Sequence, residues 1–176
     1  DYEEQFKSEV IDDFAESYAN GQTPIPCVRC NEKIKFGDLY ETARQLGASS
    51  LITGHYVSNK LINGERGLFR ARDVNKDQSY FMFTLKKAQL EYIKFPLGDL
   101  NKSETRKIAK ELDLVTSDKP ESQDICFVQS GNYVNLINTL KPKSNIKGNL
   151  IDTTGNIVGE HAGIMNFTIG QRRGIG

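Results

Sequence analysis

A short apolar run, Ser50-Leu51-Ile52-Thr53, stops on Gly54-His55-Tyr56 and follows a stretch of helical period. From about Lys33 to Leu46, the residues Phe36, Leu39, Tyr40, Ala43 and Leu46 share one helical face, with Gly47 as the stop. Helix, strand and then glycine at the strand's carboxyl end is the pattern of an α/β domain. In such domains ligands bind beyond the carboxyl ends of the strands. Gly54 lets a ligand come close to the backbone.

The flanking segments extend this pattern. Tyr2, Phe6, Val10, Phe14 and Tyr18 recur every fourth residue, with Ile11 and Ala15 widening the stripe, so residues 2–19 read as an amphipathic helix ended by Asn20-Gly21. Tyr56 to Ala71 reads as a hairpin turning at Asn63-Gly64. The polar run Asp73 to Ser79 enters Tyr80, Phe81, Met82 and Phe83. Its plainer reading is a helix cap before core aromatics, and the alternative is a polar loop offered to a ligand. Leu85–Tyr92 reads as a short helix, and Phe95-Pro96-Leu97-Gly98 as a bend. Asn101 with Glu104 resembles a capping box for a helix to about Leu112, with Ile108, Ala109 and Leu112 inward.

Further on, Ile125-Cys126-Phe127-Val128 reads as a strand and Asn132–Leu140 as a helix. The linker-like stretch Pro142–Lys147 has no apolar period. After it, Leu150-Ile151 and Ile157-Val158 flank Thr154-Gly155-Asn156 as a hairpin, and Ile164–Ile169 offers one more strand. The expected division is an α/β domain over residues 1–145 and the start of a small β-rich domain over 146–176.

Composition bounds the function. Across 176 residues, 38% are hydrophobic and 26% charged, which suits a folded globular chain. The formal net charge is zero, so a nucleic-acid partner needs a local patch rather than bulk charge. No apolar run approaches the roughly 20 residues of a membrane helix, and no secretory signal opens the chain. The first residue is Asp1 and the last lies in a basic, glycine-rich run, so a fragment is expected.

The three cysteines carry the chemistry. Cys27 and Cys30 stand at C-x-x-C spacing in Thr23-Pro24-Ile25-Pro26-Cys27-Val28-Arg29-Cys30-Asn31, and Cys126 stands alone. An odd count without secretory features favours a reducing compartment. Spacing leaves three readings open. A zinc site would draw on Cys27, Cys30, Cys126, His55 and His161, though no second ligand pair is spaced for it. A thioredoxin-like pair would follow a strand, and here the preceding element is a helix. A catalytic thiol would pair Cys30, just before or within a helix's first turn where the dipole favours a thiolate, with a remote second cysteine. For Cys126 the plainer reading is a buried thiol in a strand.

Taken in order, the motifs resemble the tRNA-specific 2-thiouridylases. The matching segments are Thr23–Asn31, Ile34-Lys35-Phe36, Thr53-Gly54-His55-Tyr56, Asn75-Lys76-Asp77-Gln78-Ser79-Tyr80-Phe81 and Phe95-Pro96-Leu97-Gly98. Lys119-Pro120-Glu121-Ser122-Gln123-Asp124-Ile125-Cys126-Phe127, Gly159-Glu160-His161 and Thr168-Ile169-Gly170-Gln171-Arg172-Arg173-Gly174 complete the series. The resemblance implies a PP-loop, adenine-nucleotide α-hydrolase-like catalytic domain that uses ATP and magnesium to place persulfide sulfur on a tRNA uridine. It implies Cys30 as nucleophile, Cys126 as persulfide carrier and a Cys30–Cys126 disulfide after transfer. It implies ATP contact at Gly54, target-base contact at Ile25, Pro26 and Cys27, and tRNA contact at His55, Lys76, Asp77 and Gln78. The partners implied are tRNA and a sulfur-donor protein, a cysteine desulfurase or relay protein, in the cytoplasm, with no membrane.

Two positions depart from the family pattern: Ile25 stands where asparagine is usual, and Cys27 where many members have aspartate. The Ser-Gly-Gly-Val-Asp-Ser-Ser pyrophosphate loop and a C-terminal barrel are not in this sequence, so these residues alone are expected not to adenylate tRNA. The alternative is a non-enzymatic zinc- or RNA-binding module using Cys27, Cys30 and Cys126.

Overall fold

Pro26 does not prolong the loop before Cys30; it opens a helix. Proline is tolerated at a helix's first position, where its fixed φ is helical and its missing N–H would have no partner. The computed structural model describes residues 1–119, 125–128 and 132–175. It divides into two units, residues 27–121 and residues 1–26 with 122–176.

Helix α2, which belongs to the first unit from Cys27 on, continues without a break from Pro26–Cys30 through a π-helical stretch, Asn31–Asp38, into Leu39–Gln45. It begins at Pro26 rather than near Lys33. Gly37 permits the π turns, because a Cβ there would lie 2.9 Å from the carbonyl oxygen of Glu32. The wider coil shifts the phase of the apolar face. Phe36 and Tyr40 are buried, whereas Leu39 and Leu46, expected on the same face, are exposed.

Strand β1, Leu51–Ile52, pairs in parallel with β4, Ile93–Lys94, in the register Leu51↔Ile93 and Ile52↔Lys94. Thr53 N–H donates to Lys94 O at 3.1 Å and extends the pairing. A parallel pair needs a long crossover. Here it contains the antiparallel hairpin β2, Val57–Ile62, with β3, Glu65–Arg70, turning at Asn63-Gly64, and the helix α3, Lys87–Tyr92. The core packs Phe36, Tyr40, Val57, Met82, Ile93 and Phe95, with Leu51, Leu68 and Phe81 around them. The bend after β4 fits against β2 so closely that a Cβ on Gly98 would stand 2.1 Å from the Val57 carbonyl oxygen.

Two further expectations fail in this unit. Ser79–Met82 is a 3-10 turn that buries Met82 but leaves Tyr80 62% and Phe83 67% exposed, so these aromatics are not core. Helix α4, Lys102–Glu111, starts with the expected capping box, Glu104 Oε2 accepting from Asn101 N–H at 2.6 Å. Ile108 and Leu112 nevertheless face outward.

In the second unit, α1 runs over residues 3–19 as Glu3–Phe6, a π stretch Lys7–Asp12, and Asp13–Ala19. Its expected stripe is observed, with Val10, Phe14, Ala15 and Tyr18 buried. Phe14 and Tyr18 join Val128, Ile137 and Met165 in one core. Ile137 comes from α5, Tyr133–Leu140, whose start is capped by Asn132 Oδ1 accepting from Asn135 N–H at 3.3 Å. The Tyr18 and Tyr133 rings stack at 4.5 Å, and Lys141 pairs with Glu16. Strands β5, Gly148–Ile151, and β6, Ile157–His161, form the expected hairpin.

Here too, two expected strands are otherwise. Ile164–Asn166 is a 3-10 turn that buries Met165, followed by irregular chain. Residues 125–128 form a turn closed by Val128 N–H donating to Ile125 O at 3.0 Å. In a strand, Ile125 and Phe127 would face opposite to Val128. The turn lets all three pack on the same core.

Candidate active site

Three elements of the 27–121 unit converge beyond the carboxyl end of β1: α2, the loop at residues 53–56 and the loop at residues 73–82. Asn31, next to Cys30, is buried, and its Nδ2 donates to Phe81 O at 3.1 Å, tying α2 to the 3-10 turn. Gln78 grips the residue after His55. Tyr56 N–H donates to Gln78 Oε1 at 2.9 Å, and Gln78 N–H donates to Tyr56 O at 2.8 Å. Lys35 on α2 reaches the same loop, with Nζ 3.4 Å from His55 Nε2.

Gly54 is exposed, and a Cβ there would make only an ordinary contact, 3.6 Å from Leu97 Cδ1. Packing within the chain therefore does not demand glycine, and the Gly54 backbone is open on one side. His55 is half-buried beside Phe36, ring centroids 5.9 Å apart. Burial, and then the nearby Lys35 charge, push its pKa down to about 4. It is a neutral imidazole at pH 7.

The Lys76-Asp77-Gln78 run divides by role. Asp77 accepts from Ala71 N–H at 2.7 Å, from Ser79 Oγ–H at 2.8 Å and from Arg70 Nε–H at 3.3 Å. Burial pushes its carboxyl up, but these hydrogen bonds outweigh burial and hold the group below the ordinary carboxylate range. Asp77 and Gln78 thus hold the loop in place. Lys76 N–H donates to Asp73 O at 3.0 Å.

None of the three cysteines is in a disulfide. Cys27 is exposed and Cys30 half-buried, both on the first segment of α2. Cys30 closes that segment rather than starting the helix, so the free N–H groups of the N-terminus lie nearer Cys27. Ile25 is exposed and Pro26 buried, both in the other unit. Cys126, also in that unit, is exposed on the turn between Ile125 and Phe127, not buried in a strand. Of the motif Lys119 to Phe127, Pro120 to Asp124 lie outside the described residues. Among the described residues, no cluster of three or more His, Cys, Asp or Glu side chains is placed to hold a metal ion. Among them too, no helix is long and apolar enough to cross a membrane.

Neither Lys35 nor Asn31 has an individual role in the local sequence pattern. Their partners, His55 and Phe81, are distant in the chain, and neither residue type stands out on a polar helix.

A helix–strand–glycine unit that places its loops at a parallel strand's carboxyl end defines an α/β domain, and comparison gives it a class. The family description "tRNA methyl transferase HUP domain" matches residues 1–130, and "tRNA methyl transferase PRC-barrel domain" matches residues 135–176. The proteins called tRNA-specific 2-thiouridylase MnmA from Rickettsia massiliae (strain Mtu5) and Nitrobacter winogradskyi are 57% and 50% identical to this chain over its whole length. The one from Beijerinckia indica subsp. indica is 54% identical. The chain belongs to the family of the tRNA-specific 2-thiouridylases. It covers 48%, 44% and 41% of those three relatives, so it spans about half the length of the curated relatives it matches.

Proposed function

We propose that the protein containing these residues transfers sulfur to C2 of the wobble uridine of tRNA in an ATP-dependent reaction. The observation that carries this reading is the 50–57% identity, over the whole chain, to relatives named as tRNA-specific 2-thiouridylases. Sulfur transfer is favoured over the methyl transfer in the family description because it gives work to Cys30 and Cys126, each presented by its own support. The zinc- or RNA-binding module gains nothing from the disposition of the described cysteines.

The uridine 2-oxygen is a poor leaving group. Transfer of AMP from ATP to that oxygen, with release of pyrophosphate, makes it a good one. Cys126 carries the sulfur as a persulfide received from a sulfur-donor protein, a cysteine desulfurase or relay protein. The Cys30 thiolate attacks the Cys126 sulfur, the persulfide S–S bond breaks, and hydrosulfide leaves as a Cys30–Cys126 disulfide forms. Hydrosulfide adds to C2 and AMP departs. A cellular thiol reductant then supplies two electrons to reopen the disulfide. Magnesium enters with the nucleotide, and no step is assigned to it.

Gly54 offers its backbone to ATP. Ile25, Pro26 and Cys27 line the place of the target base, which must leave its stack to be reached. His55 and Lys76 contact tRNA, with Asp77 and Gln78 holding their loops. Lys76, Arg172 and Arg173 meet phosphates. The compartment is the cytoplasm, where thiols stay reduced, and the domain boundary lies near residue 145.

The test is transfer of labelled persulfide sulfur to tRNA by the full-length protein. Cys126→Ala abolishes it and Cys30→Ala leaves sulfur trapped on Cys126. Undiminished thiolation by either variant refutes the assignment.

A further inference from the structure

The chain Lys35–His55–Thr53 fixes where the protons sit. An ammonium has donors and no acceptor, so Lys35 Nζ donates to His55 Nε2 across 3.4 Å. Nδ1 then carries the ring proton and donates to Thr53 Oγ1 at 2.6 Å. Both ring nitrogens are used within the chain, and the ring is neutral at pH 7 because burial and the Lys35 charge oppose its protonation. Lys35 spends one of its three donors on His55. It is itself half-buried, and among the described residues no carboxylate pairs with it.

A partly buried cation is normally paired, and a lysine beyond the carboxyl end of a parallel strand is placed for an anionic ligand. Lysine acts as a point charge toward phosphate. The neighbouring Gly54 is exposed and leaves the backbone approachable. We infer that Lys35 contacts the nucleotide: its ammonium, 3.4 Å from His55 Nε2, meets a phosphate oxygen of a nucleoside triphosphate bound beyond β1. This rests on the ATP-dependent reading above and assigns the positive charge of that site to Lys35, with His55 as its positioning residue.

The experiment measures binding by the full-length protein, by calorimetry for ATP and by filter retention for tRNA. Lys35→Gln keeps an N–H donor for His55 Nε2 and removes only the charge, so it separates charge from scaffold. The expected result is ATP binding weakened about tenfold or more in Lys35→Gln and Lys35→Met, kept within about threefold in Lys35→Arg, with tRNA affinity changed less than about twofold. Inorganic triphosphate competes with ATP on the parent protein and loses that advantage in Lys35→Gln. Unchanged ATP affinity in Lys35→Gln overturns the inference while leaving ATP use intact. Lost tRNA affinity with ATP affinity intact also overturns it, because the phosphate met would be that of RNA. A parent protein that binds no ATP overturns the underlying reading together with this one.

Discussion

Gln78 and Tyr56 hold each other by two hydrogen bonds, Tyr56 N–H to Gln78 Oε1 at 2.9 Å and Gln78 N–H to Tyr56 O at 2.8 Å. The side chain of one loop thereby sets the backbone of the other directly after His55. In Gln78→Ala the Tyr56 N–H loses its acceptor, which costs about 1–3 kcal/mol. Urea unfolding of the 176-residue chain is expected to show that loss, with tRNA affinity of the full-length protein falling alongside. An unchanged unfolding midpoint would show that the pair does not brace the site.

His55 makes folding sensitive to pH in a definite direction. Its folded pKa of about 4 lies below the ordinary value of 6.5, so between these values the unfolded chain holds the extra proton. The neutral ring's stability is fully present above about pH 6.5 and is lost as pH falls toward 4, by about 3 kcal/mol in all. In His55→Gln the stability curve flattens across that window. A curve of unaltered slope in this variant would exclude the buried neutral ring as its source.

Two glycines near the site respond oppositely to alanine. At Gly98 the new Cβ would meet the Val57 carbonyl oxygen at 2.1 Å, so Gly98→Ala is expected to cost more than about 3 kcal/mol or prevent folding. At Gly54 the nearest atom is 3.6 Å away, so Gly54→Ala leaves thermal stability within about 1 kcal/mol and lowers ATP affinity. Melting curves and nucleotide titration of the two proteins separate packing from binding.

The Cys126 turn separates support from chemistry in the same way. Phe127 packs edge-on against Phe14, with ring centroids 5.4 Å apart, and against Phe6 at 5.9 Å. Phe127→Ala is expected to cost about 2–4 kcal/mol. Cys126→Ser, at an exposed position, stays within about 0.5 kcal/mol and stops persulfide formation, read by mass spectrometry after incubation with a sulfur donor. A large stability loss in Cys126→Ser would mean that the thiol is structural.

The helices, both hairpins and the strand before Gly54 were legible because period, caps and turn residues are local signals. The Glu104 capping box and the Asn63-Gly64 turn were found for that reason. The start of α2 is hidden in the sequence because two prolines within five residues look like loop, and only the fold shows that Pro26 is a first helical residue. Residues 125–128 look like a strand by composition, but three apolar side chains had to reach one core, and only a turn allows that. The links Lys35 to His55 and Asn31 to Phe81 depend on long-range packing, which no local pattern encodes.

The π stretch of α2 works as a phase adjuster between two stiff halves of one rod. Removing a single residue between Asn31 and Gly37 would let ordinary α-helix close over the gap. Because the wide turns hold a residue more than α-helix needs, the α-helical segments before and after them, Pro26–Cys30 and Leu39–Gln45, would keep their facing. The stretch from Asn31 to Asp38 is therefore where the rod can lose one residue without turning its ends, whereas a second loss would rotate the Cys30 half by about 100° about the axis.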